Sequence, residues 1–175
     1  VYGNGWTQIH QAKDNNIIIK NNMIYGCQKA AGSTAEYGNI TGDDLDGYGA
    51  GIWLSVEVWD NESAWNTGHR VYDNLIADAS PGIYFGVQGT SAKPYWQQQT
   101  ISDCQIYNNT VILLSGRGVY DFKNAVRIKD YSHIGANVVF KNNLFVQDNG
   151  TIAYADSYTS GITFDYNQWS LEPLS

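Results

Sequence analysis

The chain has 175 residues, 43% apolar and 14% aromatic, enough for one domain with a continuous core. Only 15% are charged and the formal net charge is −7 with no basic stripe, which argues against nucleic acid as a partner. No apolar run approaches the roughly 20 residues of a membrane-spanning helix.

In chain order, the first predicted strand is Thr7-Gln8-Ile9-His10-Gln11, a weak copy of a pattern that returns more clearly. Ile19-Lys20-Asn21-Asn22 follows: an apolar residue, a variable residue, then a pair ending in Asn, with Ile24 two residues on. The longest insertion comes next and contains Gly42-Asp43-Asp44-Leu45-Asp46. The strand Gly51-Ile52-Trp53-Leu54-Ser55-Val56 leads through Trp59, Trp65 and Gly68-His69 to Val71-Tyr72-Asp73-Asn74. Gly82-Ile83-Tyr84-Phe85-Gly86-Val87 leads through Tyr95 and Trp96 to Ile106-Tyr107-Asn108-Asn109. Ala125-Val126-Arg127-Ile128-Lys129-Asp130 precedes Phe140-Lys141-Asn142-Asn143, and Thr151-Ile152-Ala153-Tyr154-Ala155-Asp156 precedes Phe164-Asp165-Tyr166-Asn167.

The flanks of each Asn alternate with period two, as strands do. The shortest spacing from the first strand to the Asn is 15 residues (152 to 167) and from the Asn to the next strand 9 (74 to 83), a bare coil of 24. A unit that short, with no helical periodicity, cannot bury its apolar side alone and must stack on copies of itself as a parallel β-helix. Parallel strands lie about 4.8 Å apart, so successive Asn side chains come within bonding reach and form a ladder. The expectation is a single all-β domain over 1–175, about five coils, with Asn22, Asn74, Asn109, Asn143 and Asn167 in one column. Val1 begins directly in a repeat and neither end reads as a polar cap, which suggests a piece of a larger protein. Cys27 and Cys104 fall on different walls and read as core thiols.

Measured against the bare coil, the extra residues fall only in the two connections beside the Ile52/Ile83/Val126/Ile152 strand, which makes that strand's sheet the floor of a groove. The outward columns on that floor read Gln8, Trp53, Tyr84, Arg127, Ala153 and then His10, Ser55, Gly86, Lys129, Ala155. Aromatic faces beside cations suit a sugar chain. Strand propensity alone also favours outward aromatics.

Segments such as Val138-Val139-Phe140-Lys141-Asn142-Asn143-Leu144-Phe145 and Gln105-Ile106-Tyr107-Asn108-Asn109-Thr110-Val111 resemble the right-handed parallel β-helix superfamily of pectate lyases, polysaccharide lyases and polygalacturonases. The resemblance covers nearly the whole chain and implies a right-handed coil, secretion or a cell-surface location, and action on an acidic polysaccharide in a groove over one sheet.

β-Elimination from a uronic acid needs a base for the C5 proton and a cation at the carboxylate, and similar lyases use Lys or Arg in these roles. Lys129 is the expected base, and Arg127 the expected carboxylate clamp, lowering the lysine's proton affinity. Trp53, Tyr84, His10 and Gln8 are the expected substrate-binding residues. The oxygen-rich Asp43, Asp44 and Asp46 would suit Ca²⁺, although the spacing matches no EF-hand loop and Asp/Gly stretches also form plain turns. Gly42-Asp43-Asp44, Gly68-His69 and Arg127-Ile128-Lys129 occur in the order of polygalacturonase motifs, but His69 sits at a core position. Asp130 and Asp156 could stand one coil apart as a glycosidase pair. The leading expectation is a polysaccharide lyase. The alternative is a non-catalytic carbohydrate-binding or adhesive module, and a glycoside hydrolase is third.

Overall fold

The computed structural model describes residues 9–12, 14–25, 50–57, 65–79, 81–88, 100–114, 124–128, 137–148, 152–155 and 161–170. Strand follows strand, and no helix occurs among the described residues. A first pass holds β1 (Ile9–Ala12), β2 (Ile18–Lys20) and β3 (Met23–Tyr25). The second has β4 (Ile52–Glu57), β5 (Trp65–Thr67), β6 (Arg70–Tyr72) and β7 (Leu75–Ala77). The third has β8 (Ile83–Gln88), β9 (Thr100–Ser102), β10 (Gln105–Tyr107) and β11 (Thr110–Leu113). The fourth holds β12 (Val126–Ile128), β13 (Val138–Lys141) and β14 (Leu144–Gln147). The fifth holds β15 (Ala153–Ala155), β16 (Ile162–Asp165) and β17 (Gln168–Trp169).

The chain builds three five-stranded sheets: β1-β4-β8-β12-β15, β2-β6-β10-β13-β16 and β3-β7-β11-β14-β17. Every pairing in them is parallel, and β5 pairs with β9 in a fourth, two-stranded ladder. Each pass visits the three sheets in the same order, an arrangement compatible with a parallel β-helix.

Alternation decides what is inside. Ile52, Leu54, Ile83, Phe85, Val126 and Ile128 of the first sheet meet Val71, Ile106 and Phe140 of the second and Ile24, Ile76, Val111 and Phe145 of the third in one buried cluster. Phe140 stacks on Phe164 at 4.7 Å and Phe145 on Trp169 at 4.6 Å. His69, two positions before Val71, shares this interior. Its Nδ1 accepts the Ile17 N–H at 3.2 Å, and burial holds its pKa below the ordinary value against the opposing pull of Asp14. Cys104 is a buried free thiol, and burial pushes its pKa up to about 11.

The corner between the second and third sheets carries the Asn ladder. The residue before each ladder Asn is left-handed: Asn21, Asp73, Asn108, Asn142 and Tyr166, with φ from 51° to 56°. Asn and Asp tolerate this conformation, so the pair ending in Asn is one device: the first residue turns the chain and the second bonds along the stack. Asn22, Asn74, Asn109 and Asn143 each donate both main-chain N–H and Nδ2 to the Oδ1 of the next ladder Asn, at 2.9–3.2 Å.

The register of the first sheet differs from the sequence expectation at both ends. Ile9 pairs with Ile52 and His10 with Trp53, so His10 takes the position expected for Gln8. Val126 pairs with Ala153, so Ile152 belongs to the corner column of Gly51, Gly82 and Ala125. That column is tight: a Cβ on Gly82 would lie 2.4 Å from Val111 Cγ1 and 2.8 Å from the Ala125 carbonyl. The shortest coil from one ladder rung to the next, Asn143 to Asn167, is 24 residues, as the spacing of the motifs predicts.

Candidate functional site

On the outer side of the first sheet the observed column is His10, Trp53, Tyr84 and Arg127, and Arg127 is in register with Tyr154 of the last pass. His10 stacks on Trp53 with ring centres 4.3 Å apart and planes 14° apart, and Trp53 tilts against Tyr84 at 5.4 Å. These residues face away from the main core, as expected, yet they do not form an open floor. Trp53 is 2% exposed, Tyr84 1% and Arg127 8%, and Trp53, Tyr84 and Ala50 form a buried cluster of their own. The expectation of exposed aromatics there is corrected: facing outward is not the same as meeting solvent, because a second layer can cover the face. The Trp53 indole N–H is buried with no hydrogen-bond acceptor among the described residues. Among Trp53, Tyr84, Arg127 and His10, His10 alone is exposed.

Lys129, Gln8, Asp43, Asp44 and Asp46 lie outside the described residues, as do Asp130, Asp156, Trp59, Tyr95 and Trp96. The expected base, one expected sugar contact and the whole expected calcium cluster are therefore not placed. No group of three or more His, Cys, Asp or Glu side chains suited to a metal occurs among the described residues. His69 is in the interior and joins no exposed set.

The second sheet presents a different surface. Its outer columns read Ile18, Arg70, Gln105, Val139, Thr163 and Lys20, Tyr72, Tyr107, Lys141, Asp165. Tyr72 and Tyr107 stack with ring centres 4.8 Å apart and planes 6° apart, the strand spacing reproduced by the side chains. The Lys20 ammonium stands 5.8 Å from the Tyr72 ring centre, within cation–π range. At the other end Lys141 pairs with Asp165 at 3.7 Å and lies 5.4 Å from the Tyr166 ring centre. Lys20, Arg70, Gln105 and Lys141 are exposed and the two tyrosines half-buried. This face therefore combines aromatic rings, cations and amides in contact with solvent. The signal for it was in the repeat itself: the residue taken as variable in each motif reads Lys, Tyr, Tyr, Lys, Asp down the stack.

A third polar group gathers where the passes enter the second sheet. Asp103 accepts from Asn137 Nδ2 at 2.9 Å, from the Ser102 hydroxyl at 3.1 Å and from the Thr67 hydroxyl at 3.3 Å, and these bonds hold its carboxyl below the usual range. Asp103 and Asn137 are themselves left-handed turn residues, so this cluster braces a corner.

In comparisons with protein-family models, curated proteins and solved structures, nothing matches this chain. No helix among the described residues is long and apolar enough to cross a membrane.

Proposed function

We propose that this chain is a right-handed parallel β-helix, related to the pectate lyase, polysaccharide lyase and polygalacturonase superfamily, which binds a polysaccharide outside the cell or at its surface. The observation that carries the reading is the solvent-facing row Lys20, Tyr72, Tyr107 and Lys141 on one parallel sheet. A polysaccharide repeats along its length, and so does this row. Sugar rings offer apolar faces to aromatics and hydroxyls to amides and ammonium groups. The test is affinity electrophoresis or pull-down against a panel of neutral and acidic polysaccharides. Wild type should be retained by at least one polymer, and Tyr72→Ala/Tyr107→Ala should lose about tenfold or more in affinity, the loss of roughly 1.4 kcal/mol of stacking. Retention of the double variant equal to wild type refutes the reading.

A second reading places β-elimination on the first sheet, favoured by Arg127 pairing in register with Tyr84 on the outer face. Lys129 serves there as base, Arg127 as carboxylate clamp, and Asp43, Asp44 and Asp46 as the calcium ligands. Because Trp53, Tyr84 and Arg127 are covered, that face has to open before a substrate reaches it. Growth of the ultraviolet absorbance of unsaturated uronate, in calcium, with its loss in Lys129→Ala, is the expected outcome of this reading. Absence of that signal on every uronate polymer leaves the binding module.

A further inference from the structure

The aromatic row on the second sheet is interrupted at one point. Tyr72 has a lysine over one face and Tyr107 over the other. Tyr107 has Tyr72 on one side, but the lysine that would cover its other face, Lys141, is drawn away toward Asp165 and Tyr166 of the next pass. Between Tyr107 and Lys141 a hollow of about 300 Å³ remains, lined by Gln105, Tyr107, Asn108, Val139, Lys141 and Asn142. Tyr107 lines the hollow and Tyr72, stacked on its other side, does not. Val139, also in the lining, is shorter than Gln105, its register partner in the preceding pass. Asn108 and Asn142, which also line the hollow, are exposed turn residues with φ of 54°.

We propose that this hollow is a subsite for a single uncharged hexopyranose residue of a polysaccharide chain, an inference that rests on the polysaccharide-binding reading above. The size suits one ring: the volume is at the low end of the roughly 300–1,000 Å³ of small-molecule sites. Its walls are chemically split as a pyranose is. One apolar aromatic face meets the C–H face of the sugar, and three side-chain amides supply both donors and acceptors for its hydroxyls. The sugar is uncharged for an electrostatic reason. The single cation of the hollow is already paired with Asp165, and a protein of net charge −7 attracts no polyanion by its overall field.

The experiment is isothermal titration of the full chain with neutral oligosaccharides of glucose, mannose and galactose and with oligogalacturonate, each at low and high salt. A neutral oligomer should bind, with affinity changed less than about twofold between 0.05 and 0.5 M salt, because no ion pair forms. Tyr107→Ala should weaken it about tenfold or more, the effect of losing about 1.4 kcal/mol of contact. Asn142→Gly, which keeps the left-handed turn accessible and removes one amide, should weaken it severalfold with the melting temperature held. If oligogalacturonate binds in preference, with affinity that falls with salt and depends on Lys20, the subsite proposal is overturned and the polysaccharide reading stands. Neutral binding untouched by both Tyr107→Ala and Asn142→Gly has the same meaning. Failure of every oligomer and polymer to bind overturns both.

Discussion

Asn109→Ala and Asn22→Ala are the same substitution at two rungs of one ladder, and the structure assigns them different costs. Asn109 Oδ1 accepts the Asn74 main-chain N–H at 3.2 Å and its Nδ2 at 2.9 Å, while Asn109 Nδ2 donates to the Val71 carbonyl, the Tyr107 carbonyl and Asn143 Oδ1. Removing the amide orphans the buried Asn74 N–H, which costs about 1–3 kcal/mol, and strips the two carbonyls of a donor. With the small void added, the total is about 2–4 kcal/mol. Asn22 differs in direction. Its Nδ2 donates to the Lys20 carbonyl and to Asn74 Oδ1, both at 3.0 Å, and no donor among the described residues uses its own Oδ1. Asn74 Oδ1 keeps the Asn22 main-chain N–H at 3.0 Å after truncation, so the cost should stay below about 1 kcal/mol. Asn167→Ala should resemble Asn109→Ala, because Asn143 donates its N–H to Asn167 at 2.9 Å. The assay is urea denaturation with midpoints compared at constant slope. Equal losses for Asn22→Ala and Asn109→Ala would refute the directional account of the ladder.

Two further substitutions probe the turn and the interior. Tyr166 holds φ of 51° where the other four passes place Asn or Asp, and a bulky residue there costs about 1–2 kcal/mol. Tyr166→Asn should therefore stabilise by about 0.5–1 kcal/mol after the exposed Lys141 contact is lost, and a lower denaturation midpoint would show that contact to outweigh the strain. For His69 the sign follows from burial: the folded-state pKa is depressed below 6.5, so the unfolded chain binds the proton more readily. Its contribution is complete above pH 6.5 and is lost as pH falls through the folded value. Wild type should lose stability across that acid range more steeply than His69→Gln, and identical pH profiles would remove His69 from the account.

The ladder was legible because it is local. A turn residue and a bonding Asn adjacent in sequence produce both the corner and the stack, so five copies of the motif specify five rungs whatever lies between them. The first sheet was less so, since its register is set by which carbonyl each N–H meets and not by matching apolar letters. Ile9 donates to the Gly51 carbonyl and Val126 to that of Ile152, which moves the column by two residues at one end and one at the other. Ile152 misleads because the corner before the strand is also buried, so an apolar residue there imitates the start of the strand.

The surface of the first sheet was hard to read for a different reason. Period-two alternation says which side of a sheet a residue faces, and on that point Trp53, Tyr84 and Arg127 were placed correctly. It says nothing about what lies over that side. The second sheet adjoins the short ladder corner, and its outer face remains in solvent, so the residues that look variable within each repeat become the continuous surface between repeats. In a stacked chain the constant letters build the scaffold, and the changing letter beside them reads as a column only once the register is known. Lys20, Tyr72, Tyr107, Lys141 and Asp165 form such a column, and the gap between Tyr107 and Lys141 is where a ligand would complete it.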